Sequence, residues 1–155
     1  MKKPNLGISI FAAWLVMGCG LMASEGSARA SSPPDACSTR SLYGDYGFSA
    51  EGVLLGVPNL PAEAQFRSSG VAHFDGKGGV SWLEHTVVNG SPLNVGWVSA
   101  SGTYSVNSNC TGTAVVITPN SFVPLQFAFV IIKHGAETRW VLDSNAIVSV
   151  FTKLD

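Results

Sequence analysis

The chain is poor in charged residues, in cysteine and in helical periodicity. Charged side chains make up 12% of its 155 residues, and from residue 31 onward six Lys and Arg stand against nine Asp and Glu, a net charge of −3. No basic stripe exists, so the sequence predicts neither a nucleic-acid partner nor attraction to an anionic membrane surface. Gly, Ser, Thr, Val and Asn are common instead, which is typical of strands and tight turns.

The sequence also lacks the motifs of common catalytic sites. It has no G-x-S-x-G elbow for a nucleophilic serine, and no glycine-rich loop precedes a helix. His73, Glu84 and His85 come nearest to a metal-ligand set, and the hairpin around Asp75–Gly79 is expected to bring His73 near Trp82. Adjacent strand residues point to opposite faces, however, which separates Glu84 from His85. We therefore predict no catalytic residue, no metal and no cofactor.

Residues 1–30 have the features of a signal peptide. Lys2 and Lys3 precede an almost uncharged apolar run, Leu6 to Ala23, and Ala28-Arg29-Ala30 matches the A-x-A cleavage pattern. Two alternatives stay open: a lipoprotein signal cleaved before a lipidated Cys19, and a retained anchor. A cleaved signal predicts a periplasmic or extracellular protein, and a lipidated Cys19 predicts an outer-membrane lipoprotein. Neither form has a membrane span in the mature chain.

Three cysteines are present, and the predicted processing accounts for one of them. Cys19 is either removed with the signal or capped with lipid, which leaves Cys37 and Cys110 in an oxidising compartment. We predict a Cys37–Cys110 disulfide, with two unpaired buried thiols as the alternative. Pro33 and Pro34 place a linker at residues 31–40, before a single domain at residues 41–155.

Apolar residues of that domain recur with a period of two. Tyr46, Phe48 and Ala50 alternate with smaller or polar neighbours, and the run Val98–Val106 shows the same pattern. Asp75–Gly79 and Asn89-Gly90 supply turn chemistry between such runs. The sequence therefore predicts an all-β fold, a small antiparallel meander barrel of about eight strands, with a two-sheet β-sandwich as the alternative. A membrane-spanning barrel is disfavoured because the strands look short and the chain ends without an aromatic residue.

Several segments resemble one protein family. They are Cys37, Leu42–Phe48 (LYGDYGF), Phe74–Gly78 (FDGKG), Ser101–Asn107 (SGTYSVN) with Cys110–Thr113 (CTGT), and Phe127–Val130 (FAFV). In these segments the chain resembles a group of small secreted bacterial proteins of unknown function. The resemblance implies a calycin-like barrel, similar in outline to lipocalins and allene oxide cyclase. It implies no activity, because no catalytic residue carries over.

Large aromatic residues are expected inside the barrel, where they either fill the core or line an apolar pocket. The candidate pocket-lining residues are Tyr46, Phe48, Trp82, Tyr104, Phe127, Phe129 and Trp140. The segment Leu125–Ile132 is apolar on both faces. Its outward residues Ala128, Val130 and Ile132 predict a homo-oligomer contact, since an exposed apolar stripe needs a cover.

Three functions follow from these features, and the sequence does not choose among them. The first is an exported non-catalytic barrel that binds a small apolar ligand or an envelope partner. The second is a structural or interaction protein with a solid core. The third is a cofactor-free enzyme of the cyclase or isomerase type, which the absence of catalytic motifs makes the least favoured.

Overall fold

The structure is a computed structural model that describes residues 36–155. The predicted signal peptide, the lipidation site Cys19 and the first half of the linker lie outside the described residues. Within the described part of the chain, no helix is long and apolar enough to cross a membrane.

In residues 36–155, nine strands form one closed antiparallel sheet. They are β1 Tyr43–Leu55, β2 Glu63–Asp75, β3 Gly79–Val88, β4 Ser91–Pro92, β5 Val98–Val106, β6 Thr111–Ile117, β7 Leu125–Ile132, β8 Glu137–Leu142 and β9 Ala146–Lys153. Each long strand pairs with the next along the chain, and β1 pairs with both β2 and β9, which closes the barrel. The two-residue β4 is an addition on β3. The predicted all-β barrel of eight strands is confirmed, and the sandwich alternative is excluded.

The turn between β2 and β3 shows how local chemistry sets the register. The Asp75 carboxylate accepts hydrogen bonds from the backbone N–H groups of Lys77 (2.7 Å) and Gly79 (2.8 Å). These backbone donors lower the pKa of Asp75. The turn centres on Lys77, so His73 faces Ser81. The expected proximity of His73 to Trp82 is therefore wrong by one residue, and one residue moves a side chain to the other face.

Alternation along the strands points the aromatic side chains inward. Tyr46 and Phe74 are completely buried, and Phe74 meets both Tyr46 and Tyr104 edge to face at centroid distances of 5.1 and 5.3 Å. Small residues make room for these rings. A Cβ atom at Gly112, for example, would lie 2.2 Å from the ring of Phe129, so only glycine fits there.

One end of the barrel, which we call the tethered end, is covered by the chain that precedes β1. Cys37 and Cys110 form the expected disulfide, with their Cα atoms 4.9 Å apart. Leu42 is completely buried, and the Tyr104 hydroxyl lies 3.0 Å from its carbonyl oxygen. The Tyr46 hydroxyl donates to the Gly135 carbonyl at 2.6 Å, and burial raises the pKa of Tyr46.

The opposite end, the loop end, carries the longer connections. Antiparallel strands alternate in direction, so the segments 56–62, 89–97, 118–124 and 143–145 all leave the barrel there. The polar and exposed residues that concern function lie in and beneath these loops.

Candidate functional site

All seven candidate pocket-lining aromatics lie inside the barrel and are at most 8% exposed. They contact one another: the rings of Phe129 and Trp140 stack at 4.5 Å, and Trp82 and Phe127 meet at 6.1 Å. Phe74 and Phe151, which the candidate set omits, complete the same cluster. The rings thus pack on each other within the barrel, and a pocket-lining role for them stays a prediction.

Above these rings, the loop end contains a buried polar network centred on Glu84. β3 points Trp82, Glu84 and Thr86 inward, which places a carboxylate inside the barrel, 7% exposed. Glu84 Oε1 accepts hydrogen bonds from Thr118 Oγ1 at 2.7 Å and from Asn120 Nδ2 at 3.0 Å. A buried carboxylate requires such donors, because its desolvation is otherwise costly.

The network continues into the loops above the strands. Asn120 Oδ1 accepts a hydrogen bond from Asn94 Nδ2, which links the 118–124 loop to the 89–97 loop. The Asn120 backbone N–H also donates to Thr118 Oγ1 at 3.3 Å. Glu84 therefore fixes two loops that are distant in sequence, and it does so through their polar side chains.

A second buried polar pair joins β3 to its neighbour β2. Thr86 Oγ1 donates to Ser68 Oγ at 3.0 Å, and Ser68 Oγ donates to the His85 carbonyl at 3.3 Å. Trp82 Nε1 is a buried donor without a hydrogen-bond partner in the described structure. The interior is thus aromatic toward the tethered end and partly polar toward the loop end.

The loops that Glu84 fixes turn apolar side chains to the outside. Val95 follows Asn94 directly and is fully exposed, while Phe122, two residues after Asn120, is 98% exposed. The exposed apolar side chains of these two loops, which we call the rim, are Leu93, Val95, Trp97, Phe122 and Val123. Polarity in the middle of these two loops is therefore inverted, since Asn94 and Asn120 turn toward Glu84 while Val95 and Phe122 face out. Single exposed apolar residues are ordinary on protein surfaces, but a group at one end indicates a contact surface.

The histidines and the carboxylate considered for a metal site do not meet. Glu84 faces the interior, whereas His85 faces outward, packs on Trp97 at 5.8 Å and donates from Nδ1 to the Gly96 carbonyl at 3.1 Å. His73 also lies on the outer surface, where its Nδ1 is 2.7 Å from Asp45 Oδ1. Across residues 36–155, no group of three His, Cys, Asp or Glu is arranged to hold a metal ion.

The outer wall of the barrel has two further features. Phe127, Phe129 and Ile131 face inward from β7 as expected, and Ala128 and Val130 are exposed while Ile132 is half-buried. An oligomer contact through Leu125–Ile132 stays a prediction.

A shallow depression lies elsewhere on the wall, over the small side chains of β1 and β2, with lining residues that include Ser49, Ser69, Arg67, His85 and Val148.

The chain matches no known family, no curated protein and no solved structure. Function is therefore argued from the geometry of this barrel. Sequence reasoning overlooked both the Glu84 network and the rim. The inward position of Glu84 follows from its alternation with Trp82 and Thr86, but its partners Thr118 and Asn120 are more than thirty residues away.

Proposed function

We propose that this protein is an exported, non-catalytic binding barrel of the cell envelope that holds an apolar partner against its rim. The observation that carries the proposal is the inverted polarity of the loop end. The half-buried side chains of Asn94 and Asn120 are hydrogen-bonded toward the Glu84 carboxylate, whereas Val95 and Phe122 present apolar surface to the outside.

The packing of the interior favours binding at the rim over binding inside the barrel. The ring of Trp140 lies within 6.0 Å of the rings of Phe74, Phe127, Phe129 and Phe151, so the middle of the barrel is occupied by aromatic side chains. A barrel of eight strands has room for its own side chains or for one small ligand. The filled core thus supports an interaction protein with a solid interior, with the rim as its contact surface.

Export and family are part of the same proposal. The apolar run and the A-x-A pattern of residues 1–30 support export, and the Cys37–Cys110 disulfide is typical of an oxidising compartment. The closed meander supports membership of the calycin-like secreted group that the chain resembles in its Ser101–Asn107 segment. Catalysis is not part of the proposal, because the buried carboxylate is engaged with loop residues.

An uncharged apolar fluorophore, N-phenyl-1-naphthylamine, tests whether the rim is the binding surface. We expect the probe to brighten with the wild-type protein. A Val95→Ser/Phe122→Ser variant should bind it roughly tenfold or more weakly, because each side chain contributes burial worth about 1.5 kcal/mol or more.

A matched control removes the same kind of surface from the outer wall. Val71 and Leu83 are paired neighbours on β2 and β3 and are 47% and 44% exposed. The Val71→Ser/Leu83→Ser variant should bind the probe as the wild type does. Equal affinity of the rim variant and the wall variant would show that the rim is not the binding surface.

A further inference from the structure

We infer that the rim docks on a phospholipid bilayer of zwitterionic lipid, with Val95 and Phe122 entering its apolar layer. The inference rests on the proposed function and names the partner. It is drawn from three properties of the loop end: the isolation of the exposed side chains, the absence of charge in the loops that carry them, and the internal pairing of their polar groups.

The rim side chains project singly and do not enclose a pocket. Phe122 is 98% exposed and Val95 is fully exposed, so neither folds over a concavity. A selective small-ligand site is concave and buries most of its ligand, whereas the rim offers a probe such as N-phenyl-1-naphthylamine only a shallow apolar contact. Separate apolar projections from two loops at one end of a barrel fit a soft apolar medium better, because each side chain enters it independently.

The rim loops contain no charged residue. The segments 89–97 (NGSPLNVGW) and 118–124 (TPNSFVP) lack Asp, Glu, Lys and Arg, as does the adjacent segment 56–62 (GVPNLPA). Entry of the rim loops into an apolar layer therefore desolvates no ion of their own; Asp143, exposed in the fourth connection at this end, has to stay at the headgroup level. The loops lack Lys and Arg, and the chain from residue 31 onward has a net charge of −3, so an anionic surface is disfavoured and zwitterionic lipid is the better partner.

The polar side chains nearest Val95 and Phe122 are already paired, and prolines reduce the number of backbone donors in the loops. Asn94 and Asn120 are hydrogen-bonded toward Glu84, and Pro92, Pro119 and Pro124 have no backbone N–H to desolvate. Trp97 lies at the base of its loop, 59% exposed, next to His85. An indole there suits the headgroup level, where tryptophan is enriched in membrane proteins.

The test measures partition of the exported, processed chain onto sucrose-loaded phosphatidylcholine vesicles by sedimentation. Every version carries Cys19→Ser, so no lipid is attached to the protein, and mass spectrometry selects protein cleaved after Ala30, which lacks the apolar run Leu6–Ala23. We expect the Val95→Ser/Phe122→Ser variant to partition roughly tenfold or more weakly than its parent. The Val71→Ser/Leu83→Ser variant should stay within about twofold, and 0.5 M NaCl should change binding little, since no ion pairs form.

Tryptophan fluorescence supplies a readout at the rim itself. Trp82 and Trp140 are buried, and Trp14 is absent from protein cleaved after Ala30, so the emission that shifts to the blue on adding vesicles should come from Trp97. A Trp97→Phe variant should lose that shift yet still sediment with the vesicles.

Three outcomes would overturn the bilayer as partner. One is equal partition of the rim and wall variants, which would place lipid binding elsewhere on the chain. Another is rim-dependent self-association without lipid in the ultracentrifuge, which would make a second copy the occupant. The third is no vesicle binding at all. In that case rim-dependent binding of N-phenyl-1-naphthylamine would leave the proposed function standing, and its absence would remove both.

Discussion

Thr118→Val probes the buried network that holds the rim loops in place. Thr118 is 3% exposed, and its hydroxyl donates to Glu84 at 2.7 Å and accepts from the Asn120 backbone at 3.3 Å. A hydrogen bond to a carboxylate is worth about 1.5–3 kcal/mol. Valine keeps the shape of threonine, and its additional buried methyl group offsets about 0.8 kcal/mol of the lost hydrogen-bond energy. We therefore expect a net destabilisation of about 1–2 kcal/mol.

Urea unfolding with the disulfide intact measures this cost. The midpoint should fall by roughly 0.5–1 M, given a typical slope for a domain of this size. Thr103→Val is the matched control, because Thr103 is exposed on β5, and it should change stability by less than about 0.5 kcal/mol.

A double-mutant cycle with Glu84→Gln assigns the effect to the network. The neutral amide is a weaker acceptor than the carboxylate, so Thr118→Val should cost about 1 kcal/mol less in the Glu84→Gln background. An unchanged midpoint for Thr118→Val, or the same cost in both backgrounds, would refute a network that holds the loops through Glu84.

Four further predictions concern stability and assembly. Burial raises the pKa of Tyr46, so the folded chain keeps a proton that the unfolded chain releases near pH 10. The free energy of unfolding, measured by urea titration, should therefore fall as pH rises above about 10. It should fall less steeply in the Tyr46→Phe variant. Hydrogen bonds from the side chains of Lys133 and Arg139 lower the pKa of Glu137. The ionised Glu137 therefore stabilises the fold above its unfolded pKa, and this stabilisation is lost as pH falls through its folded pKa. Glu137→Gln should flatten the acid side of the plot of melting temperature against pH. Replacing Cys37 and Cys110 by serine opens a loop with a sequence separation of 73 and should cost about 4 kcal/mol in chain entropy, which calorimetry at pH 7 measures. Sedimentation velocity of the wild type should show an oligomer that Val130→Asp disrupts, and a strictly monomeric wild type would remove the predicted contact.

Much of the fold was accessible from the sequence because period-two patterning is a local signal. Inward positions such as Tyr46 and Phe127 follow from alternation alone, and Asp75–Gly79 marks its turn by residue type. Closure of β1 on β9 was expected from strand number, and their register (Phe48 opposite Phe151) required the structure. The error at His73 shows how a miscount of one residue reverses a face.

The candidate site was less accessible, because its contacts join loops to strands. Alternation says nothing about Asn94 or Asn120, whose side chains meet only when the barrel brings their loops together. The rim loops contain apolar residues between turn residues, in the segments 94–97 (NVGW) and 121–124 (SFVP). Sequence alone does not decide which of these apolar residues are buried. The Tyr46–Gly135 hydrogen bond spans 89 residues and has no sequence signature.

The link between Cys37 and Cys110 also determines how the barrel bears mechanical load. Cys37 lies six residues before β1 begins, and Cys110 immediately precedes β6, on another part of the barrel wall. Traction on the chain ahead of Cys37 is therefore divided between the backbone leading into β1 and a covalent branch to β6. With the disulfide intact, force applied to the chain before Cys37 reaches β1 and β6 together, so β1 does not separate from its neighbours alone. Reduction of the disulfide would direct all of that force into β1.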